Sequence, residues 1–154
     1  METQSLARSL KEQPLVADLA DQHVAFLSGC TKNVRYDEGE YLFRESDEAE
    51  WLYMVRKGKV SLEIKAPQKT LVVETLHSGE VIGWSTIFPP HFWQLDARAT
   101  KETIVFAVNG QCLRNKLDAD HDFGYAFTRL MLREVHGRLE RVRLQVLDLY
   151  RADS

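Results

Sequence analysis

The run with the clearest chemical content is Gly83-Trp84-Ser85-Thr86-Ile87, followed by the aromatic loop His91-Phe92-Trp93. The hydroxyls of Ser85 and Thr86, at the start of a short helix, are one way to meet an anion. The same two hydroxyls also serve a simpler end, capping that helix. Trp84 offers an indole face on which a planar base stacks, or bulk that fills a ligand's space. Trp93, beside Phe92, either walls a small molecule or closes a core. His91 donates to an anion or stands solvated. Gly83, Trp84, Ser85, Thr86, His91 and Trp93 are the candidate ligand-binding residues.

Catalysis finds no comparable support. His23, His77, His91, His121 and His136 are scattered, without the His-x-His spacing of a cupin metal site. No serine or cysteine nucleophile signature and no P-loop is present. The expectation is a protein that is not an enzyme and carries no metal or other cofactor. Cys30 and Cys112 have neither metal nor redox spacing, so a disulfide scaffold is not expected and a reducing cytoplasm fits. The N-terminal run lacks an apolar export segment, and no window approaches the roughly 18 apolar residues of a membrane span. A net charge of -3 removes the strongest reason to expect nucleic acid as a partner.

The elements that must position these residues follow from hydrophobic period. With 154 residues, 44% of them hydrophobic and 28% charged, the chain has room for one domain with a real core. Leu15, Val16, Leu19, Ala20, Val24 and Leu27 fall three or four apart, which predicts one or two short helices over 14–27, with Pro14 suited to a first turn and Gly29 to a stop. Val60, Leu62 and Ile64 alternate with polar residues, as do Leu95, Ala97 and Ala99, and Ile104, Phe106 and Val108. Each reads as a half-buried strand. Residues 51–55 and 71–76 are β-rich without alternation, as in strands covered on both sides. Gly39, Gly58 and Gly79 punctuate these runs where strands reverse. Short strands at this spacing predict a sandwich or barrel, here a jelly roll.

After Asn109 the period turns helical, over 110–117 and then over 121–150. Leu132, Val135, Leu139, Val142, Val146 and Leu149 are spaced as a heptad seam of about two and a half repeats, and predict a dimer interface. Leu130, Leu144 and Leu147 supply a second stripe expected to face the barrel. Gly137 lies opposite the seam and costs about 1 kcal/mol relative to alanine. The surplus of arginine between Arg129 and Arg151 reads as the flanking charge of a paired helix.

Three stretches carry a resemblance. These are Tyr36-Asp37-Glu38-Gly39-Glu40-Tyr41-Leu42, then Trp51-Leu52-Tyr53-Met54-Val55-Arg56-Lys57-Gly58-Lys59-Val60 after Glu45-Ser46-Asp47-Glu48-Ala49, and Thr75-Leu76-His77-Ser78-Gly79-Glu80-Val81-Ile82-Gly83-Trp84. In order and spacing the chain resembles the cyclic-nucleotide-binding domain of the catabolite activator protein (Crp/Fnr) superfamily. The resemblance implies a mainly β fold with flanking helices, a double-stranded β-helix (jelly-roll) barrel with an N-terminal helix and a long C-terminal helix. It divides the chain into a barrel domain with its N-terminal helix over 1–118 and a dimerisation helix over 119–154, with no helix-turn-helix domain. Only Arg151-Ala152-Asp153-Ser154 follows Tyr150, so direct DNA binding is not expected.

In that family a cassette holds the cyclic phosphate with a glycine, an arginine on the phosphate and a glutamate on the ribose. Gly83 matches the glycine. The glutamate position is Trp84, and the arginine position falls in His91-Phe92-Trp93, which has none. Pro89-Pro90 stiffens the loop between. Each charge-assisted hydrogen bond contributes roughly 1.5–3 kcal/mol, so losing both costs about 3–6 kcal/mol. That is on the order of a hundred- to ten-thousand-fold in affinity. The resemblance therefore implies a regulatory small-molecule-binding module whose ligand, a cyclic nucleotide or another small anion, is atypical or absent. Its signal passes through the C-terminal helix to a homodimer or a partner regulatory protein. The alternative is a ligand-free scaffold for dimerisation or protein interaction.

Overall fold

Strands 51–57 and 103–109 explain the architecture, because each is buried on both faces against a different core. The computed structural model describes residues 2–152; Met1, Asp153 and Ser154, which belong to the terminal runs considered above, lie outside them. The element order is α1 (Glu2–Lys11), α2 (Pro14–Ala17), α3 (Asp21–Gly29), β1 (Thr31–Tyr36), β2 (Tyr41–Phe43), β3 (Trp51–Lys57), β4 (Val60–Lys65), β5 (Thr70–Leu76), β6 (Val81–Ile82), a 3-10 turn (Trp84–Thr86), β7 (Asp96–Ala99), β8 (Thr103–Asn109), α4 (Gly110–Ala119) and α5 (His121–Ala152). Two antiparallel four-stranded sheets, β1-β8-β3-β6 and β2-β7-β4-β5, make the jelly roll.

One face of β3 and β8 gives Leu52, Met54, Phe106 and Val108 to a core shared with Leu10, Leu15, Val16, Leu27 and Phe123 of the helices. The other gives Tyr53, Val55, Val105 and Ala107 to the barrel interior, with Phe43, Val60, Leu62, Ala97 and Ala99. Residues 51–55 thus lack alternation for the reason expected. β8 departs from expectation: Val105 and Ala107 are buried as fully as Phe106 and Val108, because the strand lies between two cores.

β5 departs the other way. Leu71, Val72 and Val73 are 42%, 59% and 50% exposed, not covered on both sides. The strand is the edge of its sheet, and only β4 pairs with it. The 14–27 region forms α2 and α3 as predicted, and α1 precedes them, with Leu10 fully buried.

Asn109 caps α4, its Oδ1 accepting from the Cys112 amide at 2.9 Å. Cys30, which caps α3, and Cys112 are joined by a disulfide with Cα atoms 6.2 Å apart, an ordinary span. The spacing of the two cysteines does not signal this link. They are 82 residues apart in sequence, and β8 returns the chain to the end of α3, where the Asn109 amide donates to the Cys30 carbonyl at 2.8 Å. The bond removes the argument for a reducing compartment. Among the described residues no helix is long and apolar enough to cross a membrane.

α5 buries Phe123, Phe127, Leu130 and Met131. From residue 139 to 151 it is exposed throughout. Leu144 and Leu147, at 59% and 43% exposure, do not face the barrel as expected; Leu130 alone of that stripe does. Beyond Arg138 and Arg141, which reach Glu74 and Glu80, Val142 and Gln145 still run beside Val72 and Val73 of β5.

Candidate functional site

A cavity of about 340 Å³ opens where the barrel interior meets the 3-10 turn and α5. Its walls are largely apolar: Phe43 from β2, Leu62 and Ile64 from β4, Ile82 from β6, and Trp84, Trp93 and Leu95. Gly83, Ser85, Gln94 and Arg138 complete the lining.

Gly83 is dictated by geometry. Its φ is 122°, and a Cβ there would stand 3.1 Å from both the Leu52 Cα and the Trp51 carbonyl oxygen. Only glycine accepts that backbone and that approach. The turn after it is closed on itself: the Thr86 amide donates to the Gly83 carbonyl at 3.0 Å, the Thr86 hydroxyl to the same carbonyl at 2.6 Å, and the Ile87 amide to the Trp84 carbonyl at 3.0 Å. Arg114 of α4 donates to the Thr86 carbonyl at 2.6 Å. Thr86 is fully buried and lies outside the cavity lining. Its hydroxyl is structural.

His91 is half-buried rather than solvated, and its Nδ1 donates to the Ser85 carbonyl at 2.8 Å. It pins the aromatic loop to the turn and is not among the lining residues. The loop is held further by the Ser46 amide on the Trp93 carbonyl at 2.8 Å and the Trp93 amide on the Asp47 carbonyl at 3.0 Å. Trp93 stacks on Phe43, ring centroids 3.7 Å apart and planes 11° from parallel. It is buried in the barrel core with Tyr53 beyond Phe43, so it both closes the core and walls the cavity. Trp84 is half-buried and leans on the helical core. Of the six candidates, Gly83, Trp84, Ser85 and Trp93 come together around one space.

Arg138 was hidden in the sequence among the many arginines of α5. Its guanidinium lies 5.3 Å from the Trp84 ring and donates to both oxygens of Glu74, at 2.6 and 3.2 Å, and to the Val81 carbonyl at 2.8 Å. One turn on, Arg141 donates to Glu80 at 2.6 Å. Burial pushes the Glu80 carboxyl up, but Arg141 and the His77 amide outweigh it and hold it below its ordinary value. The signal that marks this latch is positional. Glu134, Arg138 and Arg141 recur at helical spacing off the seam, on the face turned to the barrel. Arg98 points away from the cavity, to Glu63 at 2.9 Å, and that hydrogen bond holds the Glu63 carboxyl below its ordinary value against the push of burial.

The sequence profile of the cyclic nucleotide-binding domain matches residues 33–120, more than half of the chain. The chain belongs to the cyclic nucleotide-binding domain family. Solved relatives agree with the fold. A cyclic nucleotide-binding domain from Methylobacillus flagellatus KT superposes with a TM-score of 0.78 at 16% identity, covering 96% of this chain and 83% of that one. The N-terminal domain of a transcriptional regulator from Streptomyces coelicolor A3(2) gives 0.69 at 26%, covering 87% and 94%. The sensor domain of the transcriptional regulator DNR from Pseudomonas aeruginosa gives 0.72 at 17%, covering 91% and 95%. No curated protein is a match. Within this cyclic nucleotide-binding domain the cavity is lined by Gly83 and by the indoles of Trp84 and Trp93.

Proposed function

We propose that this domain is a regulatory small-molecule-binding module in which residues 1–118 hold the cavity and the helix over 119–154 reads it out. The observation that carries this reading is Arg138, a residue of α5 that lines the cavity while tied to β5 through Glu74 and to β6 through Val81. A molecule seated against Trp84 changes what Arg138 packs on, and so has different affinity for two positions of the helix. That difference is what a ligand-driven switch requires.

The same helix carries the output. Leu132, Val135, Leu139, Val142, Val146 and Leu149 are 42–68% exposed along one line. A second copy of the chain covers this seam as a parallel pair, and the homodimer, with any regulatory partner it engages, receives the signal. The domain binds rather than catalyses. Cyclic AMP binds weakly, because Trp84 stands at the glutamate position and the loop His91-Phe92-Trp93 holds no arginine.

Hydrogen exchange along α5 tests the coupling. Glu74→Gln weakens the latch, and amides around Arg138 are expected to exchange faster while those of β8 are unchanged. Equal exchange in the native and variant proteins would overturn the reading and leave α5 an independent interaction helix.

A further inference from the structure

We infer that the cavity takes an uncharged, largely apolar aromatic molecule rather than a small anion. This rests on the reading of the cavity as a ligand site and names the class of ligand. Its one lining cation, Arg138, is already answered: Glu74 takes two of its nitrogens and the Val81 carbonyl the third. The neighbouring Arg141 pairs with Glu80 through one nitrogen, at 2.6 Å. Two guanidiniums face two carboxylates, so the rim offers an entering anion no surplus positive charge. To gain Arg138, an anion has to displace Glu74, whose side chain is only 19% exposed, and leave that carboxylate without its closest partner.

Part of the turn's donor capacity is used internally. The amides of Thr86 and Ile87 are spent on the carbonyls of Gly83 and Trp84. What the cavity does present is aromatic and aliphatic surface, Trp84, Trp93, Phe43, Leu62 and Ile82, with the polar edge of Ser85 and Gln94 beside it. Such a lining recognises an apolar ring system carrying one hydroxyl or carbonyl for orientation. At about 340 Å³, the cavity is at the small end of the range of roughly 300–1,000 Å³ for small-molecule sites, which suits a molecule of two or three fused rings.

Calorimetric titration of the full chain at neutral pH with 2-naphthol, 2-naphthoate and cyclic AMP tests the inference. The neutral phenol is expected to bind one per chain and at least about tenfold more tightly than either anion. Ile64→Trp, which fills the mouth of the cavity from a position already 41% exposed, is expected to weaken 2-naphthol by at least about tenfold. Leu95→Trp, a second lining position, is expected to do the same and guards against a folding defect in the first variant. Binding of 2-naphthoate or cyclic AMP as tight as that of 2-naphthol would overturn the inference while leaving the small-molecule reading intact. Binding of 2-naphthol unchanged in both variants would also overturn it, by placing the phenol elsewhere. No binding by any of the three overturns both.

Discussion

At Gly83 two demands coincide, a left-handed φ of 122° and a packing in which an added Cβ would stand 3.1 Å from the Leu52 Cα. Either alone disfavours a side chain, and together they make Gly83→Ala a sharp probe of the cassette. The substitution is expected to lower unfolding stability by roughly 1–3 kcal/mol in urea denaturation, as the Leu52 backbone or the Trp93 ring gives way. A change within about 0.5 kcal/mol would show that the turn does not have the backbone described. Trp93 is locked by its stack on Phe43, Thr86 by its hydroxyl, and His91 by Ser85. Arg138, from a distant part of the sequence, supplies the only lining guanidinium among the described residues.

At the scale of elements, α5 divides just after Met131. Before it, Phe123 and Phe127 anchor the helix in the helical core; after it, apolar residues stand in solvent. Exposed leucine and valine at heptad spacing are stabilised by a partner helix, so Leu139→Asp is expected to shift the protein from dimer to monomer in light scattering at tens of micromolar, an order-of-magnitude range for a short seam. A monomeric native protein there would remove the dimer. This division also shows how far the sequence could be read. β4 and β7 were legible in type, Val60, Leu62, Ala97 and Ala99 entering the barrel core, but not in burial: Ser61, Glu63 and Asp96 on the alternate positions are buried too, and Ile64 is exposed. β8 was only half legible, since the helices cover its outer face and bury Phe106 and Val108 while the barrel buries Val105 and Ala107. β5 misled, because an apolar edge strand has the composition of a covered one. Of the cavity, Gly83, Trp84, Ser85 and Trp93 were found from local pattern. Arg138, Leu62, Ile64 and Phe43 reach it by tertiary contact that no local spacing encodes.

Across the whole molecule, ion pairs tie distant segments: Arg98 to Glu63 within one sheet, and Arg141 on α5 to Glu80 before β6. Both carboxyls are held below their ordinary values in the folded protein. A depressed carboxyl stabilises the fold at pH above its unfolded value, about 4.3 for glutamate. That contribution is lost as pH falls through the lower folded value. Stability is therefore expected to fall as pH drops below that range, and less steeply in Glu80→Gln than in the native protein. A parallel decline in both would show that the Arg141 pair contributes nothing. The two cores, the Cys30–Cys112 disulfide and these pairs preserve the family barrel independently of what the cavity holds. Calorimetric titration with cyclic AMP tests most directly whether the second messenger has been given up. The domain is expected to show a dissociation constant on the order of millimolar or weaker, the consequence of about 3–6 kcal/mol of lost contacts. A micromolar constant would contradict the account at its centre.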